Sequence, residues 1–140
     1  MFSFKKIITV TCFLICNTIL SAQDKYKLVW SDEFNKDGEP DSGKWKYEKG
    51  FVRNEEFQWY QPENAFCKNG LLIIEARKEQ RPNPLYTPNS NHWRTNRKNI
   101  EYTSACMITE GKHQWQYGKF ELRARIDIDP GVWRLVDAGR

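Results

Sequence analysis

An all-β sandwich is the fold class this sequence predicts, and three observations predict it. Phe120, Leu122, Ala124, Ile126 and Ile128 alternate with Lys119, Glu121, Arg123, Arg125 and Asp127, a period of two with one apolar face. Turn signals follow other strand-like runs, at Lys68-Asn69-Gly70 and at Glu110-Gly111-Lys112. No segment repeats its apolar residues at helical spacing. Strands and turns without helices bury their apolar faces by stacking two sheets over one core.

The elements follow in chain order. Lys5 and Lys6 form a short basic start, residues 7–20 are almost wholly apolar, and Ser21-Ala22 supplies small residues for cleavage. A run of 14 residues is short for a membrane span and fits a signal peptide over 1–22. Lipidation needs a small residue before the modified cysteine, but Cys12 follows Thr11 and Cys16 follows Ile15. The mature chain therefore starts near Gln23 and is secreted or periplasmic, with no membrane contact after cleavage. Residues 27–30 and 57–60 read as short strands. Residues 64–68 and 71–77 flank Lys68-Asn69-Gly70 and make a hairpin. Residues 79–99, with Pro82, Pro84 and Pro88, form a long polar loop, either a functional rim or a mobile insertion. Residues 102–109 are a further strand, and 119–128 the most regular one.

Composition narrows the function. Removing Lys5 and Lys6 from 22 basic residues leaves 20 against 18 acidic ones, a net charge of +2 over about 118 residues. That balance argues against nucleic acid and anionic membranes as partners. Arg94, Arg97 and Lys98 beside Trp93 then read as a solvated loop. Six Trp, six Tyr and eight Phe make an aromatic fraction of 14% in a polar chain, and exposed aromatic faces suit sugar rings. Most of these side chains serve equally well as half-buried strand residues. Cys67 and Cys106 remain after cleavage, either as one disulfide or as free thiols in strands. With His92 and His113 they lack the close ligand pair of a zinc site.

Paired carboxylates are the first chemistry to seek in a sugar-directed chain. Asp32 and Glu33 are neighbours, so on a strand they point to opposite faces and cannot flank one glycosidic bond. Both read as structural.

Several segments together carry a resemblance. VWSDEFN with Trp45 after it, NEEFQWYQPENAFCKNGLLIIEA, IEYTSACMITEGK, WQYGKFELRARI and then PGVW occur in that order. This series resembles the N-terminal part of glycoside hydrolase family 16, over residues 23–133. The resemblance implies a concanavalin A-like jelly roll of two curved antiparallel sheets whose concave face is an open cleft, incomplete in this chain. It implies endo-hydrolysis of β-linked polysaccharides with retention of configuration, most often β-1,3-glucans such as laminarin. Agarases, porphyranases and carrageenases share that scaffold. Retention needs two carboxyl groups about 5–5.5 Å apart. The family delivers them from one strand as Glu-x-Asp-x-x-Glu, with a bulge restoring the last Glu to the shared face.

That motif is missing here; Glu39-x-Asp41 comes nearest, with Lys44 in the closing position. No catalytic residue is therefore assigned. After Trp133 the chain departs from the family's Trp-Pro-Ala-x-Trp-Thr-Leu-Gly, so that 134–140 form a foreign tail. Arg134 to Gly139 can be encoded as CGC CTT GTG GAC GCT GGG, and that string read one base later gives Ala-Leu-Trp-Thr-Leu-Gly. A frameshift after Trp133 is the expectation, and the nucleotide sequence tests it.

The resemblance assigns three residues to the polysaccharide. Asn54 matches a polar cleft residue that bonds sugar hydroxyls, the alternative being a turn Asn bonding its own backbone. Trp133 matches a Trp that stacks near the cleaved sugar, and Trp115 is a weaker match that reads first as packing. No cofactor is expected, although many members bind a structural calcium and Glu33 matches one of its ligands. Three functions follow in order: a truncated family 16 piece, a non-catalytic carbohydrate-binding module of the same sandwich type, or an enzyme using other carboxylates such as Glu56 or Glu101. With about half the implied strands present, central strands become edges, and the isolated product is expected to fold poorly or aggregate. A cooperative thermal transition with dispersed amide signals tests that expectation.

Overall fold

The computed structural model describes residues 26–125. The expected signal peptide 1–22, Trp133 and the tail 134–140 lie outside the described residues. The chain divides into two compact units: Trp30–Gln116, and a second formed by Met1–Val29 with Tyr117–Arg140.

Trp30–Gln116 holds seven short strands: β1 Lys46–Tyr47, β2 Gln58–Tyr60, β3 Ala65–Lys68, β4 Leu71–Ile74, β5 Arg77–Pro82, β6 Asn99–Ser104 and β7 Met107–Ile108. A single 3-10 turn, Pro62–Asn64, precedes β3. The described chain is thus all-β, as the alternation and turn signals predict. The predicted hairpin is present: β3 and β4 pair antiparallel from Ala65↔Ile74 to Lys68↔Leu71. Its two-residue turn requires positive φ at both positions, and Asn69 and Gly70 supply 54° and 72°. Gly38 bridges the other edge of β3 at Cys67.

The central sheet has the order β2-β6-β5. β5 and β6 are antiparallel, with a one-residue shift between Lys78 and Arg81 where Glu79 and Gln80 oppose Glu101. β2 runs parallel to β6, Gln58↔Tyr102 to Tyr60↔Ser104, an exception to the expected all-antiparallel pairing. Parallel neighbours need a long crossover, and residues 61–98 provide it. β1 and β7 form a separate antiparallel pair.

Several predicted boundaries move. Residues 71–77 do not form one strand, because the chain leaves β4 at Ile74 and enters β5 at Arg77. The junction is held by Asn64, whose amide donates to Glu75 O at 2.9 Å and Thr103 Oγ1 at 3.1 Å. The polar loop begins only after Pro82, since β5 extends that far as an edge strand, where a missing N–H costs no ladder bond. The predicted strand 102–109 starts earlier, at Asn99, and breaks at Ala105-Cys106. No strand forms over 27–30. Over 119–125 the backbone is irregular, with Phe120 56% and Leu122 64% exposed; 126–128 lie outside the described residues. A period of two marks which face would be buried, but a strand exists only where a neighbour accepts its backbone bonds.

The buried interior is small and partly polar: Phe51, Tyr60, Ala65, Cys67, Ile100 and Ala105 with Asn64, Asn83 and Thr103. Asn64 and Thr103 are fully enclosed, and their mutual hydrogen bond, completed by Gln61 Nε2 donating to Asn64 Oδ1 at 2.7 Å, meets the cost of burying them. Cys67 and Cys106 are free thiols.

Candidate functional site

Glu56, Gln58 and Tyr60 alternate along β2 and its lead-in, which places them on one face. Their side chains form a closed polar ladder. Gln58 Nε2 donates to Glu56 Oε2 at 2.9 Å and lies 2.8 Å from Tyr60 Oη, which itself donates to Glu56 Oε2 at 3.1 Å. Asn54 Nδ2 reaches the other oxygen, Glu56 Oε1, at 3.4 Å. Burial raises the Tyr60 phenol above its usual range, Gln58 opposes the shift and Glu56 adds to it. The phenol is therefore a hydrogen-bond donor at neutral pH.

The ladder begins at a turn with unusual backbone. Asn54 and Glu55 lie in the left-handed region at φ 55° and 53°. Arg53, just before them, is ion-paired with Glu48. Asn54 is exposed and its amide turns along the ladder, so it combines turn geometry with an accessible polar side chain.

Residues 83–98 rise beside this turn as an ordered rim. Asn83 is 5% exposed and makes the loop's base: its amide donates to Arg94 O at 2.9 Å and Arg97 O at 2.8 Å, while Oδ1 accepts from Leu85 N at 3.0 Å. Thr87 N donates to Thr95 O at 2.8 Å higher up. The basic cluster is not simply solvated, contrary to the sequence reading. Arg94 Nε donates to Phe51 O at 2.6 Å and its Nη2 to Val52 O; Arg97 Nη2 donates to Glu55 O at 2.6 Å and its Nη1 to Glu56 O. Arg97 also lies over Phe51, Phe57 and Trp93, at 5.0, 4.9 and 5.6 Å from their centroids. Backbone carbonyls and aromatic faces, neither visible as a charge pattern, are what these arginines answer.

On the other side of β2, Phe57, Arg97, Lys98, Asn99 and Glu101 line a shallow open depression of about 240 Å³. Phe57 is 67% exposed there.

The remaining predicted residues are dispersed. Trp115 is half-buried, edge-on to Trp30 at 5.2 Å and stacked on His113 at 5.9 Å, the packing role read first for it. Asp32 Oδ2 accepts from Trp45 Nε1 at 2.8 Å, and Lys44 Nζ lies 3.4 Å from Oδ1, whereas Glu33 is exposed. Asp32 Oδ1 also accepts from Phe34 N at 3.1 Å, and Phe34 lies at φ 51°, so the pair sits at a turn and not on a strand. Asp41 serves a turn, accepting from Gly43 N at 2.8 Å. Trp133 lies outside the described residues. Glu56 belongs to the ladder, Glu101 to the depression and Asp32 to the Trp45 network, three separate settings. Among the described residues no three His, Cys, Asp or Glu side chains converge.

Burial pushes the Cys106 thiol up to about 11; a hydrogen bond to Glu48 adds to the shift and Arg53 opposes it. Cys67 is raised chiefly by burial, then by Asp32 and Asp37. Two of the organising residues, Asn64 and Asn83, were not singled out from sequence. The available signal was an Asn close to a proline, Asn64 two residues after Pro62 and Asn83 between Pro82 and Pro84.

No family model matches the chain. It is 39% identical over 146 residues to the beta-glucanase of Rhodothermus marinus, covering 94% of this chain and 46% of that protein. Among solved structures, the catalytic domain of an endo-1,3-beta-glucanase (laminarinase) from Thermotoga petrophila RKU-1 superposes with a TM-score of 0.52 at 38% identity, covering 69% of this chain and 36% of that one. A non-specific endo-beta-1,3(4)-glucanase from family GH16 gives a TM-score of 0.51 at 36% identity, covering 71% and 36%. The chain spans about half the length of the Rhodothermus relative.

Proposed function

The chain belongs with the family 16 glycoside hydrolases, and from that premise we propose that it is the glycan-holding part of an exported hydrolase of β-glucans, β-1,3-glucan of the laminarin type first. The observation that supports this most is the polar ladder Glu56-Gln58-Tyr60 with Asn54 at its entry, on a chain similar to glucanases over 94% of its length. Sugar recognition uses planar polar groups for hydroxyls and aromatic faces for C–H surfaces, and Asn54, Trp115 and Trp133 are the residues proposed to meet the polysaccharide.

Retaining hydrolysis takes a nucleophilic carboxylate and a second one that protonates the leaving oxygen and then activates water. The 140 residues contain no Glu-x-Asp-x-x-Glu run, and both oxygens of Glu56 are occupied within the ladder. In this proposal the chain binds and orients the glycan. The occupied Glu56 also favours a second reading, a non-catalytic carbohydrate-binding module.

Native electrophoresis of the full chain in laminarin tests binding. Retarded migration supports both readings, and migration unaffected by laminarin overturns both. Release of reducing ends by this chain, abolished by Glu56→Gln or Glu101→Gln, would instead assign the chemistry to those residues. Export is supported by the basic-apolar-small order of residues 1–22, and places the protein in a secreted or periplasmic setting. N-terminal sequencing of the mature product, expected to begin near Gln23, checks it. No helix among the described residues is long and apolar enough to cross a membrane.

A further inference from the structure

We propose that Arg97, assisted by Arg94, is a positioning residue for polysaccharide binding: it clamps the turn before β2 so that Asn54 meets the sugar in one geometry. The inference rests on the reading of Asn54 as a sugar-binding residue.

Asn54 and Glu55 are adjacent non-glycine residues at φ 55° and 53°. Such a pair persists only where its surroundings over-determine it. Here the surroundings are two guanidinium groups. Arg94 takes the carbonyls of Phe51 and Val52 before the strained pair, and Arg97 takes those of Glu55 and Glu56 at and after it. A planar fork can bridge two carbonyls at once, which an ammonium point charge does less well. Phe51, Phe57 and Trp93 fix the plane of the Arg97 fork, and Asn83 fixes its backbone by bonding Arg97 O at 2.8 Å. The clamp thus sits some forty residues away in sequence from the side chain it orients, and it faces carbonyls, leaving Asn54 exposed.

Dissociation constants for laminarin, measured on the full chain by electrophoresis, test this for wild type, Arg97→Gln, Asn54→Gly and the double variant. Asn54→Gly tolerates the left-handed backbone and removes only the side chain. Arg97→Gln and Asn54→Gly are each expected to weaken binding about tenfold, the equivalent of one charge-assisted bond. The double variant should bind no more weakly than either, because a residue acting through Asn54 has no effect once that side chain is gone. Additive losses, or unchanged binding by Arg97→Gln, overturn the proposal. Arg97→Lys keeps the charge without the fork and should fall with Arg97→Gln; wild-type affinity in Arg97→Lys overturns it as well. Should Arg97→Gln lose its thermal transition, Arg97→Lys replaces it in the cycle. Independently of any sugar, the φ-sensitive amide-to-α-proton couplings of Asn54 and Glu55 should change in Arg97→Lys, and unchanged couplings refute the clamp. If laminarin does not retard wild type, the Asn54 reading fails and the couplings alone decide the clamp.

Discussion

Residues 83–98 and 119–125 reverse the order in which a sequence reader would rank them. The first segment has three prolines at or near its start, no periodicity and no strand, yet it is held by the buried Asn83 and by hydrogen bonds such as Thr87 N to Thr95 O. The second begins the most regular alternation in the chain, yet its described backbone is irregular and Leu122 is 64% exposed. Order follows from satisfied backbone groups and not from patterning. A loop whose polar groups have partners is as fixed as a strand, whatever its sequence pattern.

The contrast can be broken at its strongest point. Asn83→Ala removes three hydrogen bonds at a buried site and should cost ~3 kcal/mol, read from urea unfolding. A loss below about 1 kcal/mol would mean that the loop does not depend on its base. The boundary between the two regimes can be placed with Cys106, which follows β6. With its thiol at about 11, this group holds its proton in the folded chain above the pH at which an unfolded cysteine loses it. Stability linked to it is therefore intact below the unfolded thiol's range and declines as pH rises from there through about 11. Alkylation at pH 8 should run about 100-fold slower than for an unfolded thiol, and a rate equal to that of denatured protein would move the boundary upstream of Cys106. Arg94→Gln should cost about 2 kcal/mol and speed amide exchange within 83–98, leaving the β3–β4 hairpin unchanged. The smallest effect is expected for Leu122→Lys, below about 0.5 kcal/mol, as for a solvent-facing substitution. A cost of several kcal/mol there would show that the Leu122 side chain is packed, and the contrast would collapse.

Much of the fold was legible. Asn69-Gly70 between two apolar runs specified the hairpin and its register, because few residue pairs accept positive φ twice. The parallel pairing of β2 with β6 was not legible, since a three-residue strand carries no mark of its neighbour's direction. Nor were the partners of Arg94 and Arg97: carbonyls at 51, 52, 55 and 56 have the same chemistry whatever the residue type, and only the fold says which of them lack a strand to bond.

By itself the sequence determined the fold class and the turns, because these depend on local backbone preference and on which side chains alternate. Tertiary structure alone decided that two arginines brace the turn before β2 and that the polar Asn64–Thr103 pair is fully buried. Those outcomes depend on groups forty residues apart meeting with their hydrogen bonds complete, a condition of space that no local pattern encodes.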